Sequence, residues 1–321
     1  MTAATAAQDH GSRMDARLAA GLHEARSHTG RQTDAHPAVA GAGPALMLVD
    51  GHHLLYRAHF GFPRRVTTAS GEDLTGLFGF VALLRKAHRE HCPDHEVVVV
   101  FDAEDGSAGR AENVPGYKAG RAGADHSPVV HLPAAKLALD TAGVRWLEQP
   151  GCEGDDALAT LARIAADTGR AVVVFSGDRD LYGLLDGQRV RILNTQLPAG
   201  RQLVTAADVA TRFGVLPVQW PDFRALTGDA SDGIPGVAGV GPVTAGQLLA
   251  DGRHLEDLPE TATGRAGTGL ARARAQWPEV VAWREALRLN ARVPVPDGLL
   301  TDRATPELLP AGRLLTEAGL W

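Results

Sequence analysis

The sequence predicts an α/β fold in which helices cover both faces of a mostly parallel central sheet, followed by a smaller helical element. Three observations lead to this prediction. Short apolar runs alternate with segments whose apolar residues recur at helical spacing, as in parallel strands connected by helices. Four of the apolar runs are predicted as strands, and a carboxylate closely follows three of these four. After Trp220 the composition changes to helical patterns joined by a glycine-rich turn.

The alternation begins after residue 43, where a polar segment gives way to the first apolar run. The runs rich in β-branched and aliphatic residues are predicted as strands: 45–49, 96–101, 171–175 and 190–193. Helical spacing predicts helices between and after them: 53–59, 78–88, 133–142, 155–166 and 280–290, with a helical turn at 181–185.

The predicted organisation has four parts. Residues 1–43 mix Ala and Gly with polar residues and lack the apolar centre of a secretory signal, so we expect a disordered tail. Residues 44–215 form the α/β domain, with a long Gly-, Ala- and Pro-rich arch-like loop at 106–133. Residues 216–300 form the helical element, and 301–321 form a C-terminal extension without a readable pattern.

Composition narrows the class of protein. Of the 321 residues 44% are apolar, and no apolar run reaches the roughly 18 residues of a membrane span. Cys92 and Cys152 are far apart and match neither a disulfide framework nor a zinc site. We therefore expect a soluble, cytoplasmic protein with no membrane contact. The thirteen histidines, including His52 and His53, show no ligand spacing and are expected at the surface.

Nine carboxylates lie at the ends of apolar runs or at the starts of helical segments: Asp50, Asp102, Glu153, Asp155, Asp156, Asp178, Asp180, Asp229 and Asp232. A single Asp after a strand is more often a turn residue or a helix cap. The set is different, because parallel strands bring their carboxyl ends to one edge of the sheet. Gathered like charges must be offset by cations, and carboxylate oxygens suit two Mg²⁺ ions, with Mn²⁺ as a substitute. Two such ions beside a phosphodiester would make a nuclease.

The formal charge of −6 argues against a nucleic-acid partner only until these carboxylates are set aside, since the remainder of the chain carries +3. Basic and aromatic residues stand in the arch-like loop directly beyond Asp102, and they are suited to holding a single strand by stacking and phosphate pairing: Arg110, Tyr117, Lys118 and Arg121.

A glycine-rich hairpin at Gly239, Val240 and Gly241 follows the last acids, and the next helix contains Thr244. Small residues allow the backbone to approach a phosphate closely, so these four residues are candidate DNA contacts of a helix-hairpin-helix device. The alternative is a tight turn between two helices without a ligand.

The order of these motifs resembles that of the bacterial 5′–3′ exonuclease family, which includes the N-terminal nuclease domain of DNA polymerase I and is related to flap endonucleases. Six segments between residues 46 and 296 carry the resemblance: VDGHHLLYRAHFG, VVFDAEDG, PGYKAGRA, GCEGDDALATLA, SGDRDLYGLL and LTGDASDGIPGVAGVG. The resemblance implies a PIN-like α/β domain, a helix-three-turn-helix DNA-binding element and a two-metal 5′ nuclease that recognises DNA by its structure.

The resemblance also implies roles for the acids. A first metal would be surrounded by Asp50, Asp102, Glu153 and Asp155. A second would be surrounded by Asp155, Asp178, Asp180 and Asp229, with Asp156 and Asp232 as supporting acids. Tyr117, Lys118 and Arg121 would act near the scissile phosphate, and Arg110 would contact DNA.

The chain departs from the family pattern in the arch, where Gly109 stands before Arg110 in place of an aromatic or basic residue, and at two places around the hairpin. Relatives usually have Ser-Asp-Asn where this chain has Ser231, Asp232 and Gly233. Relatives also carry a lysine after the hairpin, where this chain has Pro242 and Val243, which lowers the expected affinity for duplex DNA.

Two other functions remain open: a PIN-type ribonuclease, and a catalytically inert DNA-junction-binding protein. The expected partners are DNA with a 5′ end or flap, an RNA–DNA hybrid and a separate DNA polymerase. No polymerase region follows the nuclease motifs, so we expect a stand-alone, monomeric nuclease.

Overall fold

A computed structural model describes residues 43–123 and 125–321, without the side chains of Arg121 and Ala122. The predicted disordered tail, apart from Gly43, therefore lies outside the described residues.

Six strands in the described part of the chain form a single sheet: β1 (Leu46–Asp50), β2 (Glu96–Phe101), β3 (Arg145–Glu148), β4 (Val172–Phe175), β5 (Val190–Leu193) and β6 (Leu203–Val204). Their order across the sheet is β3-β2-β1-β4-β5-β6. Neighbouring strands are parallel except for β5 and β6, which pair antiparallel. The predicted mostly parallel sheet is confirmed, with β1 between β2 and β4.

The α-helices of the described residues are α1 (Gly51–Gly61), α2 (Thr75–His91), α3 (Ala108–Asn113), α4 (Leu132–Thr141), α5 (Gly154–Asp167), α6 (Ala206–Phe213), α7 (Trp220–Thr227), α8 (Pro242–Leu248), α9 (Gly264–Ala275), α10 (Trp277–Leu287) and α11 (Ala311–Glu317). Short 3₁₀ helices occur at Ala119–Gly123, Ser127–His131, Asp180–Leu184, Pro217–Gln219, Ala250–Gly252 and Leu255–Asp257.

The sheet is buried on both faces. Leu46 and Leu48 of β1 belong to one cluster of buried residues, which also holds apolar residues of α5, α7, α9 and α10. Met47 and Val49 point the other way, into a second cluster with residues of α1, α2, α4 and α11. Successive strand residues point to opposite faces, which explains why the strands read as continuous apolar runs.

Several elements were not predicted from the sequence. β3 has no β-branched residue and only one buried position, Leu147, and β6 is two residues long. Helices α6, α9 and α11 were also missed. The interval 106–133, predicted as a loop, contains α3 and two 3₁₀ helices. Most of these pieces are too short for a periodic apolar pattern to reveal them, whereas the 12-residue α9 is rich in Gly and Arg and has only three buried residues.

The end of the chain is part of the fold. Arg170 is buried, and its guanidinium donates 2.8 Å to Glu96, 2.9 Å to Asp302 and 2.6 Å to the Pro44 carbonyl. Glu96 in turn accepts hydrogen bonds from Thr301. This buried ion pair joins the starts of β1 and β2 to residues 301–302, which the sequence left unassigned.

No helix among the described residues is both long enough and apolar enough to cross a lipid bilayer. Both cysteines of the chain are free thiols, as the absence of a disulfide pattern predicted.

We expect Arg170→Ala to lower the free energy of unfolding by about 3 to 5 kcal/mol, because it leaves the Glu96 carboxylate buried without its partner. Arg313→Ala is the control, since Arg313 pairs with Glu317 at the surface and its loss costs less than about 1 kcal/mol. Urea denaturation measures both changes. Equal losses in the two variants would contradict the structural role of the buried pair.

Candidate active site

Three parallel strands deliver carboxylates to one edge of the sheet. Asp50 is the last residue of β1, Asp102 follows β2 directly, and Asp178 lies three residues beyond β4. Because β1 lies between β2 and β4, these three acids converge at the centre of the carboxyl edge. The convergence predicted from the sequence is therefore present in the fold.

Each strand-end acid is held by specific hydrogen bonds. Asp50 caps α1 by accepting from the His53 amide at 2.9 Å, and its other oxygen accepts from the Ser176 hydroxyl at 2.8 Å. Asp102 accepts from the Gly154 amide at 2.7 Å, which ties the end of β2 to the start of α5. These bonds orient the carboxylates before any ligand binds.

The start of α5 contributes three further acids with different surroundings. Glu153 is the N-cap residue, and Asp155 and Asp156 lie in the first turn, where the helix dipole favours negative charge. Asp156 is directed away from the cluster, toward Arg110 and the Asn290 amide. Its supporting role at a metal site stays a prediction.

Asp155 lies in the field of the other acids. Burial, reinforced by the charges of Asp178, Asp50 and Asp102, raises the pKa of Asp155 well above its ordinary value. Burial, and then the charge of Asp102, raises the pKa of Asp50 in the same way. The cluster therefore resists full ionisation when no cation offsets it.

A second group of acids lies beside the first. Oxygen atoms of Asp180, Asp229 and Asp232 lie within 4.8 Å of one another. Burial, followed by the charge of Asp178, raises the pKa of Asp180 to about 7. The structure thus brings Asp232, expected only as a supporting acid, next to two of the predicted ligands.

Arg224 of α7 offsets part of this charge. Its guanidinium donates to Asp229, and its Nε lies 3.3 Å from Asp180 Oδ1. That oxygen is buried and has no hydrogen-bond partner among the described residues. Arg224 was not predicted from the sequence, because a basic residue five positions before an acid carries no distinctive spacing.

The arch-like interval supplies cations and a phenol to Glu153. Lys118 Nζ lies 2.7 Å from Glu153 Oε1, and Arg110 donates to Oε2. The Tyr117 hydroxyl donates to Glu153 at 3.3 Å. Burial, with the charge of Glu153, raises the pKa of Tyr117, so the hydroxyl remains a donor. The Tyr117 ring is only 5% exposed and is not presented for stacking on a base, contrary to the sequence-based expectation.

Lys118 adopts an uncommon backbone conformation. Its φ is 54°, and its amide donates 2.9 Å to the Asp232 carbonyl. Gly233 makes this approach possible, since it has a φ of 72° and an added Cβ would lie 2.5 Å from the Gly116 carbonyl oxygen. Gly233 therefore lets residues 116–118 pack on the turn at residues 229–234, where Asp229 and Ile234 form a β-bridge. The backbone of Arg121 lies in the adjacent 3₁₀ helix, and its side chain is outside the described structure.

Two histidines belong to the site, which corrects their assignment to the surface. His52 Nδ1 accepts from the Asp102 amide at 2.9 Å, and His53 Nε2 accepts from the Gly177 amide at 3.1 Å. Both rings lie on the first turn of α1, so they brace the segments after β2 and β4. Their place directly after Asp50 in the sequence was the available signal.

The predicted DNA contacts around the hairpin differ in accessibility. Gly239 and Gly241 are exposed, whereas Val240 and Thr244 are 5% and 6% exposed and pack against Gly269 of α9. The side chains of Val240 and Thr244 are thus not available to a ligand, so only their backbone is. Close packing of α8 on α9 is the reason.

Comparison with known proteins assigns the chain to a family. A profile of the 5′–3′ exonuclease N-terminal resolvase-like domain matches residues 45–214, and one of the 5′–3′ exonuclease C-terminal SAM fold matches residues 215–302. The chain belongs to the 5′–3′ exonuclease family. The predicted enzyme class, a 5′ nuclease, is confirmed by this membership.

The relatives of this 5′–3′ exonuclease include bacterial DNA polymerases. It is 41% identical over 292 residues to the thermostable DNA polymerase I of Thermus filiformis, covering 86% of the chain and 33% of the polymerase. It is 39% identical over 223 residues to DNA polymerase I of Deinococcus radiodurans, covering 70% of the chain and 22% of the polymerase. The exonuclease thus spans a third or less of the length of these relatives.

Solved structures share the fold of the exonuclease. The bacteriophage T5 D15 protein co-crystallised with metal ions has a TM-score of 0.58 at 20% identity, over 85% of this chain and 96% of that one. The catalytic core of Rad2 in complex with DNA substrate has a TM-score of 0.52 at 14% identity, over 87% of this chain and 89% of that one. The predicted fold class is confirmed.

We expect the metal-free exonuclease to lose stability as the pH rises. In the unfolded chain Asp180 titrates near pH 4, whereas its folded pKa is about 7. Between these pH values the folded protein keeps a proton on Asp180 that the unfolded chain has released. That contribution is present at low pH and is lost as the pH rises through about 7. Thermal melts in EDTA should show a fall of several degrees from about pH 5 to about pH 8.

Added Mg²⁺ should raise the melting temperature more at about pH 8 than at about pH 5, because ionised carboxylates bind it. Asp180→Asn should flatten both dependences, while Asp297→Asn, at an exposed position, should leave them unchanged. A Mg²⁺ effect that is the same at both pH values would contradict a cation site in this cluster.

Proposed function

We propose that the protein is a divalent-metal-dependent 5′–3′ exonuclease and flap endonuclease that hydrolyses DNA by a two-metal mechanism and selects it by structure rather than sequence. The observation that carries this proposal is the convergence of acids from three parallel strands and the start of α5 at one edge of the sheet, beside Lys118. Clustered carboxylates with raised pKa values at a sheet edge are typical of a catalytic centre.

The residues at this edge fit hard divalent cations. The donors are carboxylate oxygens, and Asp50, Asp155 and Asp180 have raised pKa values because they are buried near like charges. One ion would be held by Asp50, Asp102, Glu153 and Asp155. The other would be held by Asp155, Asp178, Asp180 and Asp229, with Asp232 close by. We propose Mg²⁺, with Mn²⁺ as a substitute; when bound, the two ions supply Lewis acidity at the attacking and leaving oxygens.

The chain's own cations act on the phosphate. The Lys118 ammonium is 13% exposed and paired with Glu153, so a phosphate arriving at the acid cluster meets it at short range. There it would stabilise the charge that accumulates on the phosphate oxygens. We assign Arg121 the same role from its place in the motif. Tyr117 supports Glu153 by its hydroxyl rather than contacting the substrate.

A groove beside the hairpin is the proposed contact with duplex DNA. Its lining includes Gly239, Gly241 and Val243 together with Arg265 and Arg272 of α9. Arg272 donates 2.7 Å to the Ala238 carbonyl, which fixes its guanidinium at the hairpin. α8 contains no basic residue, so α9 supplies the positive charge that a phosphate backbone requires.

The relatives support the proposed partners. DNA polymerase I relatives carry this region within a longer polymerase, so we propose that a DNA polymerase acts on the same DNA. A DNA substrate with a 5′ end or flap agrees with the DNA-bound D15 flap endonuclease and Rad2 structures. We place this activity in the cytoplasm, where the two free thiols are expected to stay reduced.

We expect the wild-type protein with Mg²⁺ to release short products from the 5′ side of a flap or nicked duplex. Asp155→Asn should lower the single-turnover rate by more than about 100-fold. Losing an outer contact of a metal site costs up to about that much. Asp155 is proposed as a direct ligand that both ions share, so its loss should cost more. Binding of the same DNA should persist, and Asp297→Asn should cleave normally.

The substrate panel should include flap, nicked duplex, single strand, RNA–DNA hybrid and RNA. Cleavage confined to RNA would favour the PIN-type ribonuclease. If the wild-type protein bound junction DNA and cleaved nothing, the inert junction-binding alternative would stand in place of the nuclease.

We expect the double variant Arg265→Ala/Arg272→Ala to bind duplex DNA on the order of tenfold more weakly, because two phosphate contacts are lost. The slope of log affinity against log salt should fall by about 0.9 per contact. Val243→Lys in the double variant should restore part of the affinity, since Val243 is exposed at the same groove. Arg313→Ala, on α11, is the control. Unchanged salt dependence in the double variant would exclude this groove as a phosphate site.

A further inference from the structure

Arg110 has surroundings unlike those of a residue that waits for DNA. It lies in α3, and only 15% of its side chain is exposed. Its guanidinium contacts two other parts of the fold at once: it donates to Glu153 and, at 2.7 Å, to Asp156, and at 3.0 Å to the Arg288 carbonyl after α10. Both ion pairs of Arg110 are therefore with acids at the start of α5.

The two carboxylates that Arg110 joins have different partners beyond it. Asp156 also accepts from the Asn290 amide at 2.8 Å, so it is anchored to the segment after α10. Beyond Arg110, the Glu153 carboxylate contacts Lys118 and Tyr117. The charge of the same Lys118 lowers the pKa of Asp155, so Glu153 lies beside the acid cluster. A planar guanidinium can hold two carboxylates in a defined relation, which a single ammonium cannot do.

We propose that Arg110 is a positioning residue that holds the Glu153 carboxylate toward the bound cation, and that it is not a DNA contact. This inference rests on the proposed metal-dependent function. Lys118 cannot do the same work during turnover, because the proposed phosphate substrate competes with Glu153 for its ammonium. Arg110, anchored by Asp156 and Arg288, stays on the carboxylate throughout.

The charge of Arg110 and its positioning of Glu153 should have opposite effects on the affinity for the cation. Removing a positive charge beside acidic ligands strengthens cation binding, whereas loosening a ligand weakens it. Arg110→Lys separates the two, since it keeps the charge and loses the fork that spans Glu153 and Asp156. Arg163→Lys is the matched control, because Arg163 of α5 donates to the nearby Ala291 carbonyl at 2.8 Å and contacts neither carboxylate.

The experiment is isothermal titration of Mn²⁺ into the full chain without DNA. We expect Arg110→Lys to raise the dissociation constant of one bound Mn²⁺ about tenfold, the usual cost of losing an outer contact of a metal site. Arg163→Lys should bind Mn²⁺ as the wild type does. Unchanged or tighter Mn²⁺ binding by Arg110→Lys overturns the proposal.

Binding of a 5′-flap duplex in EDTA, followed by fluorescence anisotropy, completes the test. The affinity of Arg110→Lys should equal that of the wild type, and a loss of DNA affinity with normal Mn²⁺ binding would make Arg110 a DNA contact instead. If Arg110→Lys does not fold, as judged by its melting curve, Asp156→Asn removes the second anchor and should weaken Mn²⁺ binding several-fold; wild-type binding there also overturns the proposal. Since Mn²⁺ titration needs no cleavage, an inactive wild-type protein would refute the nuclease function without deciding this inference.

Discussion

The cost of gathering carboxylates at one edge of a buried sheet constrains the rest of this structure. Asp50 and Asp155 sit where burial and neighbouring negative charges both oppose ionisation. Such a cluster is unfavourable in a stable fold unless backbone amides, helix dipoles and cations compensate for it. The elements around the edge supply these compensating groups, and the remaining imbalance is what would bind divalent cations.

Compensation comes from segments far apart in the chain. The start of α5 gives the Gly154 amide to Asp102, α7 gives Arg224 to Asp229, and residues 110–118 give their cations to Glu153. Gly233 allows residues 116–118 to pack on the turn at residues 229–234. The α/β part and the helical part are therefore joined at the active edge as well as through their shared buried cluster.

Much of the fold and the set of acids could be predicted from the sequence, for a physical reason. Strands buried on both faces must be continuously apolar, so β1, β2, β4 and β5 could be predicted from the sequence. β3 lies at the sheet edge and could not. The acids could be recognised in the sequence because a carboxylate at a strand end interrupts an apolar run. His52, His53 and Arg224 were missed, because their roles come from contacts with residues distant in sequence.

Apolar periodicity and motif order are properties of the chain in one dimension, and they were enough to indicate the fold class, the family and the identity of the acids. The surroundings of each acid, in contrast, follow from the packing of the folded chain. It turned Asp156 away from the cluster, brought Asp232 toward Asp180 and buried Arg110 on Glu153. Those outcomes depend on which distant segments pack together, and the ionisation of each group depends on that packing rather than on its neighbours along the chain.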